Sequence, residues 1–246
     1  MRVAVLGGSG VAGRYTVDAL RADGHDPVGL SRATGVDLLT GDGLVPALAG
    51  AEAVVDATNL ATMRATKSEA FFETTTRNLL SAAGEVGVGH IVALSIIGID
   101  RVPFGYYQGK VRQEQVLAGS DIPVTVLRSA QFHEFASQYL ERMTGRLVLV
   151  PTWRVQPVAA REVGSALARL AVRSPVGHQE LAGPREEVMA DLVRQVARRR
   201  GGARRRIVEL RLPGAAGKAM ARGGSLPTVD GMRGTQTFAD WLAGQA

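Results

Sequence analysis

A parallel β-sheet wound on both faces by helices, a doubly wound α/β fold, is what this sequence predicts. Three observations carry that expectation. Through the first half of the chain, short β-rich runs alternate with amphipathic helical stretches. Several of those runs are apolar on both faces, as strands covered on each side by helices must be. The first of them passes straight into "VLGGSGVAGRY", Val5 to Tyr15, which places four glycines between a strand and a helix.

Taken in order, "RVAVLG" reads as a buried strand and "GRYTVDALRADG" as a helix ending at Gly24. "DPVGLSR" is a second strand and "GVDLLTGD" a brief third. "AEAVVDATN" is a fourth, followed by a long helix through "KSEAFFETTTRNLLSAAGEVG". "HIVALS" is a fifth strand, "YYQGKVRQEQVLAGS" a helix and "IPVTVLRS" a sixth strand. Beyond Arg128 the rhythm loosens. "QFHEFASQYLERM" reads as helical, "GRLVLVP" and "RVQPVAA" as short strands, and "AREVGSALARLAV" as an amphipathic helix. "EEVMADLVRQVARRR" is a further helix and "RRIVELRLP" a strand. "QTFADWLAGQA" is a short helix docked by Phe238, Trp241 and Leu242. With no internal repeat and no long linker, residues 1–246 are expected to form one Rossmann-type domain, with 129–246 supplying most of a lobe on the substrate side.

Composition removes several classes of function. Apolar residues make up 46% of the 246 and charged residues 21%, as in ordinary soluble globular proteins. The chain has no cysteine, which excludes disulfides, thiolate metal sites and thiol nucleophiles. His25, His90, His133 and His178 lack the spacing of metal ligands, so no metal is expected. No apolar run has the length of a membrane span, and the N-terminal run is too short for a signal peptide, so a cytoplasmic protein with no membrane partner is expected. Much of the net charge of +6 sits in "VARRRGGARRRIVEL", at Arg198–Arg200 and Arg204–Arg206. No helix-turn-helix, zinc or RNA-binding signature accompanies it, so it reads as a solvated loop and nucleic acid is not an expected partner.

Clustered glycines lose extra backbone entropy on folding, so the first loop must need its backbone shape. Gly7, Gly10 and Gly13 give G-x-x-G-x-x-G, and Gly8, Gly10 and Gly13 give G-x-G-x-x-G. Either pattern is weak alone. Between a first strand and a first helix it predicts a dinucleotide site, with the pyrophosphate on backbone N–H groups at the helix N-terminus. Gly7, Ser9, Gly10 and Val11 are the expected contacts, and Gly13 lets the helix pack closely on the sheet. An NAD site places an acidic residue at the end of the second strand, where "GLSRATG" has Ser31 and Arg32 instead. A guanidinium beside a hydroxyl suits a ribose 2′-phosphate, so NADP(H) is the expected cofactor.

"GGSGVAGRY", "LSRATGVDLLTGDGL", "AVVDATN", "HIVALSIIG", "YYQGK", "TVLRSAQFHEF" and the ending "FADWL" recur in this order in a known group. The chain resembles the atypical short-chain dehydrogenases of the NmrA-like, NAD(P)H-binding family over nearly its whole length. The resemblance implies that Asp37 lies near the adenine and that Ala57, Thr58 and Asn59 line its ribose. It further implies that Ser95 ends the strand nearest the nicotinamide and that Ser129 to Phe132, including Gln131, close over it.

Short-chain dehydrogenases commonly use a tyrosine to exchange a proton with the substrate oxygen. A lysine one helical turn later holds the nicotinamide ribose and lowers the tyrosine pKa. Tyr106 and Lys110 are four residues apart on one helix face, and Tyr107 is three residues from Lys110. Ser95 suits the usual serine-to-tyrosine spacing better with Tyr107, and the sequence leaves both tyrosines open. Many NmrA-like proteins keep the lysine without the tyrosine, and some sense nucleotides without turnover. His133 has the pKa range for proton transfer, but reads first as a core or lobe histidine. The expected activity is NADPH-dependent reduction of a small carbonyl or quinone-type compound in an apolar, partly aromatic pocket; the alternative is an NADP(H)-sensing regulator.

Overall fold

The computed structural model describes residues 1–201 and 205–245, so Arg204 of the basic run lies outside the described residues. In chain order, β1 (Arg2–Leu6) leads through the glycine loop into α1 (Val11–Ala22) and β2 (Asp26–Leu30). Next come α2 (Leu44–Leu48), β3 (Ala53–Asp56), α3 (Ala65–Val86), β4 (His90–Ile96), α4 (Gly105–Ala118) and β5 (Val124–Ser129). The elements α5 (Glu134–Arg142), β6 (Leu147–Pro151), β7 (Arg154–Val155), α6 (Ala160–Ala171) and β8 (Gly177–Ala182) follow. The chain ends with β9 (Glu187–Val188), α7 (Met189–Arg199), β10 (Arg206–Leu210), α8 (Gly214–Ala221), β11 (Met232–Arg233) and α9 (Phe238–Ala243). Among the described residues, no helix is long and apolar enough to cross a membrane.

The chain forms two compact units. The first comprises Met1–Ile96, Phe104–Arg128 and Arg161–Gln179; the second comprises Ile97–Pro103, Ser129–Ala160 and Glu180–Ala246. In the first unit the strands lie in the order β5-β4-β3-β1-β2. The pairs β1–β2, β1–β3 and β3–β4 are parallel. Val3, Ala4, Val5, Ala53, Val54 and Val55 are all buried, although alternate residues point to opposite faces. That double burial explains why these strands read as continuous apolar runs. From β1 the chain goes to β2 on one side and then to β3 on the other. The crevice at the strand ends of such a reversal is where α/β sheets hold ligands.

One expected strand is absent. "GVDLLTGD" instead follows a short 3-10 turn (Arg32–Thr34) and closes a loop in which the Asp37 N–H donates to the Asp42 carbonyl (3.0 Å). Gly35 and Gly41, at φ 81° and 85°, turn the backbone out of any ladder. Of its apolar residues, Val36 is buried in the hydrophobic cluster around β1 and β3, Leu38 packs against that cluster and Leu39 is exposed.

The second unit is built from short pieces. β6 pairs in parallel with β10, β7 in antiparallel fashion with β9, and β8 in parallel with β11. "RVQPVAA" yields only the two residues of β7, since Pro157 has no N–H for a ladder. Phe238 and Trp241 are buried and Leu242 is half-buried, as expected for the terminal helix.

Candidate dinucleotide site and the polar cluster beside it

The glycine loop is shaped by contacts that side chains would block. Gly7 has φ +71°, and a Cβ there would come within 2.8 Å of the Ala57 carbonyl oxygen. At Gly13 a Cβ would overlap the Gly7 carbonyl oxygen, so α1 can start this close to the loop only with glycine at that position. The Gly10 N–H donates to Gly7 O (2.8 Å), and Gly10 caps α1, whose first turn closes with Arg14 N–H to Gly10 O (3.0 Å). The cap has no side-chain hydrogen bond and the first turn has no acidic residue. As at any helix start, the N–H groups of Val11 and Ala12 have no intrahelical acceptor, and the positive end of the dipole faces outward. A Cβ on exposed Gly10 would meet only Gly7 O, at 3.1 Å, so that side of the loop is open to a ligand. These features fit a pyrophosphate.

Beside it, β2 ends at Leu30, in register with Leu6 at the end of β1. Ser31 is extended, and its N–H is bonded to the Thr34 hydroxyl (2.9 Å). Arg32 opens the turn with an exposed side chain, and no carboxylate stands at this strand end. Asp37 is half-buried and accepts the Leu39 N–H (2.8 Å), which fixes the following turn.

The end of β3 meets α4 through a chain of buried polar groups. Asp56 Oδ1 accepts from both the Thr58 N–H (3.0 Å) and the Thr58 hydroxyl (2.6 Å). Its Oδ2 accepts from Gln113 Nε2 (2.8 Å). Gln113 Oε1 in turn accepts from Lys110 Nζ (2.9 Å), which also donates to the Leu94 carbonyl (2.8 Å) and lies 4.3 Å from the centre of the Phe72 ring. Lys110 is therefore turned into the core. Burial lowers its pKa to about 8, against the opposing pull of Asp56 and Glu114. Tyr106 donates to Asn59 Oδ1 (2.6 Å), while Tyr107 is buried with its ring 5.5 Å from that of Phe104. Burial raises the Tyr106 pKa, and Tyr107 and Asp56 push in the same direction.

Ser95 is drawn elsewhere. Its buried hydroxyl donates to Glu114 Oε1 (2.5 Å). Glu114 is held by Arg128 Nε (3.0 Å) and Nη2 (2.6 Å), with His178 Nε2 at 3.4 Å. The structure thus brings Asn59 to Tyr106 and Thr58 to Asp56. Ser95, Tyr106 and Lys110 each donate to a different partner: Glu114 for Ser95, Asn59 for Tyr106, and Leu94 and Gln113 for Lys110.

In the second unit, the Ser129 carbonyl accepts the Ile97 N–H (2.9 Å) and the Ala130 N–H donates to Leu181 O (2.8 Å). The Gln131 carbonyl accepts from Val158 N–H (3.0 Å), and Phe132 bridges to Val158. His133 is buried, with Nε2 3.0 Å from the Gln236 carbonyl and its ring packed on Phe238 and Trp241. It serves the core of this unit. Burial also raises the pKa of the neighbouring Glu134.

Residues 7–147, more than half of the chain, match the family described as NAD(P)H-binding. The chain belongs to the NAD(P)H-binding family. Its fold recurs in an NADPH-dependent quinone oxidoreductase from Escherichia coli, at 19% identity and TM-score 0.69, over 98% of each chain. A triphenylmethane reductase from Citrobacter sp., complexed with NADP(H), is 16% identical with TM-score 0.67, over 94% of this chain and 93% of that one. A nucleoside-diphosphate-sugar epimerase from Staphylococcus aureus is 15% identical with TM-score 0.72, over 98% and 99%. No curated protein matches the sequence.

For this member of the NAD(P)H-binding family, the sequence reading passed over four side chains that organise the site: Asp56, Gln113, Glu114 and Arg128. Two signals were available. Asp56 is the one charged residue in the apolar strand "AVVD", and a charge in a buried strand needs a partner. Gln113 and Glu114 stand three and four residues after Lys110, on the same side of the helix.

Proposed function

We propose that this protein is an NADPH-dependent oxidoreductase whose hydride acceptor is a small compound of the quinone type. The supporting observation is the engagement of the protic groups beside the sheet. Ser95 donates to Glu114, Tyr106 to Asn59, and Lys110 to Leu94 and Gln113. Each protic group is thus committed to an acceptor within the protein, and none is held ready as a proton donor. An acceptor that takes its proton from water needs no such donor, and a quinone is of that kind. The quinone reductase and triphenylmethane reductase with this fold are in keeping with the reading.

Gly7, Ser9, Gly10 and Val11 would hold the pyrophosphate, and Ser31 and Arg32 the ribose 2′-phosphate. Asp37 would stand by the adenine, Ala57, Thr58 and Asn59 by the ribose, and Ser129, Gln131 and Phe132 on the nicotinamide side. When bound, the reduced nicotinamide supplies the hydride. Lys110 and Ser95 would stabilise the strand ends rather than touch the reacting atoms, and Tyr106 would orient Asn59.

The test is NADPH oxidation with a panel of quinones and simple carbonyl compounds, by wild type and the double variant Tyr106→Phe, Tyr107→Phe. Quinones are expected to be reduced, NADPH to be preferred over NADH, and the variant to keep turnover within about threefold of wild type. A loss of a hundredfold or so, typical of removing a general acid, would restore the tyrosine to the chemistry. Tight NADPH binding without turnover of any acceptor would instead identify a cofactor-sensing protein.

A further inference from the structure

We propose that Asp56 is a positioning residue for the glycine loop, acting through Ala57 and Thr58 and held in its own place by Gln113 and Lys110. The inference rests on the reading that this loop takes up the dinucleotide. Every group involved lies in the first unit.

Asp56 ends β3 with 2% of its surface exposed. Its two carboxylate oxygens face opposite ways: one takes both donors of Thr58, the other the Gln113 amide. Gln113 cannot reverse its amide, because its oxygen faces the Lys110 ammonium and its NH2 group faces a carboxylate. A buried cation and a buried anion are thus joined through one oriented amide.

The other end of the chain is backbone. The Ala57 N–H donates to the Leu6 carbonyl (3.1 Å), next to Gly7. The Ala57 carbonyl and Thr58 Cα line the space where a Gly7 side chain would be, at 2.8 and 3.2 Å. Moving residues 57 and 58 therefore moves the wall against which the loop takes its left-handed turn at Gly7. Burying such charges is a poor way to gain stability, since well-packed apolar side chains do as well or better. What the polar chain supplies is direction: a carboxylate with three fixed donors sets the backbone after β3 in one position, and that backbone sets the loop.

Two variants test the coupling, with NADPH affinity measured by calorimetry and amide hydrogen exchange measured on the cofactor-free protein. In Asp56→Asn an NH2 group replaces one acceptor, so either Thr58 or Gln113 loses its partner. NADPH affinity should fall about tenfold or more, the scale of a hydrogen bond to a charged group. Exchange should quicken at Gly7–Val11 and Ala57–Asn59 while the cores of β1 and β4 stay protected. In steady state the loss should enter KM for NADPH rather than kcat. Gln113→Leu, a milder change that removes only the clamp, should act in the same direction with a smaller amplitude. Binding within about twofold of wild type in both variants would overturn the proposal, as would exchange that quickens uniformly through the sheet. If wild type took up neither NADPH nor NADH, the reading of the loop would fail. The exchange pattern would still judge the coupling, by whether the two segments respond together.

Discussion

The glycine loop and the face of α4 beside it lie in one unit, yet they are built on different principles. The loop is a backbone device. Its shape comes from a left-handed turn at Gly7 and from the contact that Gly13 allows with the Gly7 carbonyl, and it presents the N–H groups that every helix start presents. The α4 face is a side-chain device. Lys110, Gln113 and Glu114 reach in different directions, to β4, to Asp56 and to both Ser95 and Arg128. The lesson is that a backbone site keeps from sequence to structure the shape its glycines dictate. A side-chain constellation keeps its spacing but can change its partners.

Gly13→Val attacks the loop at its tightest point. A β-branched side chain overlapping the Gly7 carbonyl must push α1 off β1, with a loss of about 3 kcal/mol, at the upper end for overpacking. Urea unfolding measures it, and an unchanged midpoint and slope would mean that the close contact is not a constraint.

Arg32→Glu leaves the loop backbone alone and changes only the charge beside it. NADPH binding should weaken by about 2 kcal/mol, the worth of a charge-assisted contact with repulsion added, while NADH binding holds or improves. Calorimetric titration with both cofactors measures this. Equal losses for the two would remove Arg32 from phosphate recognition.

The smallest effect reads the α4 face through pH. Lys110 titrates at about 8 in the folded protein, against an ordinary value of 10.5. Below pH 8 the folded protein carries the full penalty of a buried cation. Between 8 and 10.5 the unfolded chain binds more protons than the folded one, so this residue makes stability rise with pH. Across that window Tyr106, raised by burial, keeps its proton. From pH 7.5 to 9.5 the wild-type Tm should gain ~4 °C relative to that of Lys110→Met over the same interval. Parallel Tm curves for the two proteins would show that Lys110 is not confined as the hydrogen bonds require.

The predicted order of strands and helices through β5 held, apart from the segment at residues 35–42 and the short helix α2, which was not expected. Gly35 and Gly41, both in the left-handed region, override a strand that needs extended backbone throughout. Past Arg128 the two-residue β9 and β11 escape any periodic reading, because two residues carry no period, and β8 and α8 were not expected either. In the site, Tyr106 and Lys110 stand on one helix at the expected separation. Their bonding partners, Asn59 and Gln113, could not be read from that spacing.

By itself the sequence determined the parallel sheet, the place of the glycine loop at the start of α1 and the absence of an acid after β2. Each follows from local rules: doubly buried strands are apolar throughout, a left-handed or crowded backbone position demands glycine, and a strand end displays the residues that follow it. Only the tertiary structure decided where Lys110, Ser95 and Asp56 point. A buried polar group takes whichever partner satisfies it most fully in three dimensions, and those partners arrive from strands and helices far apart in the chain.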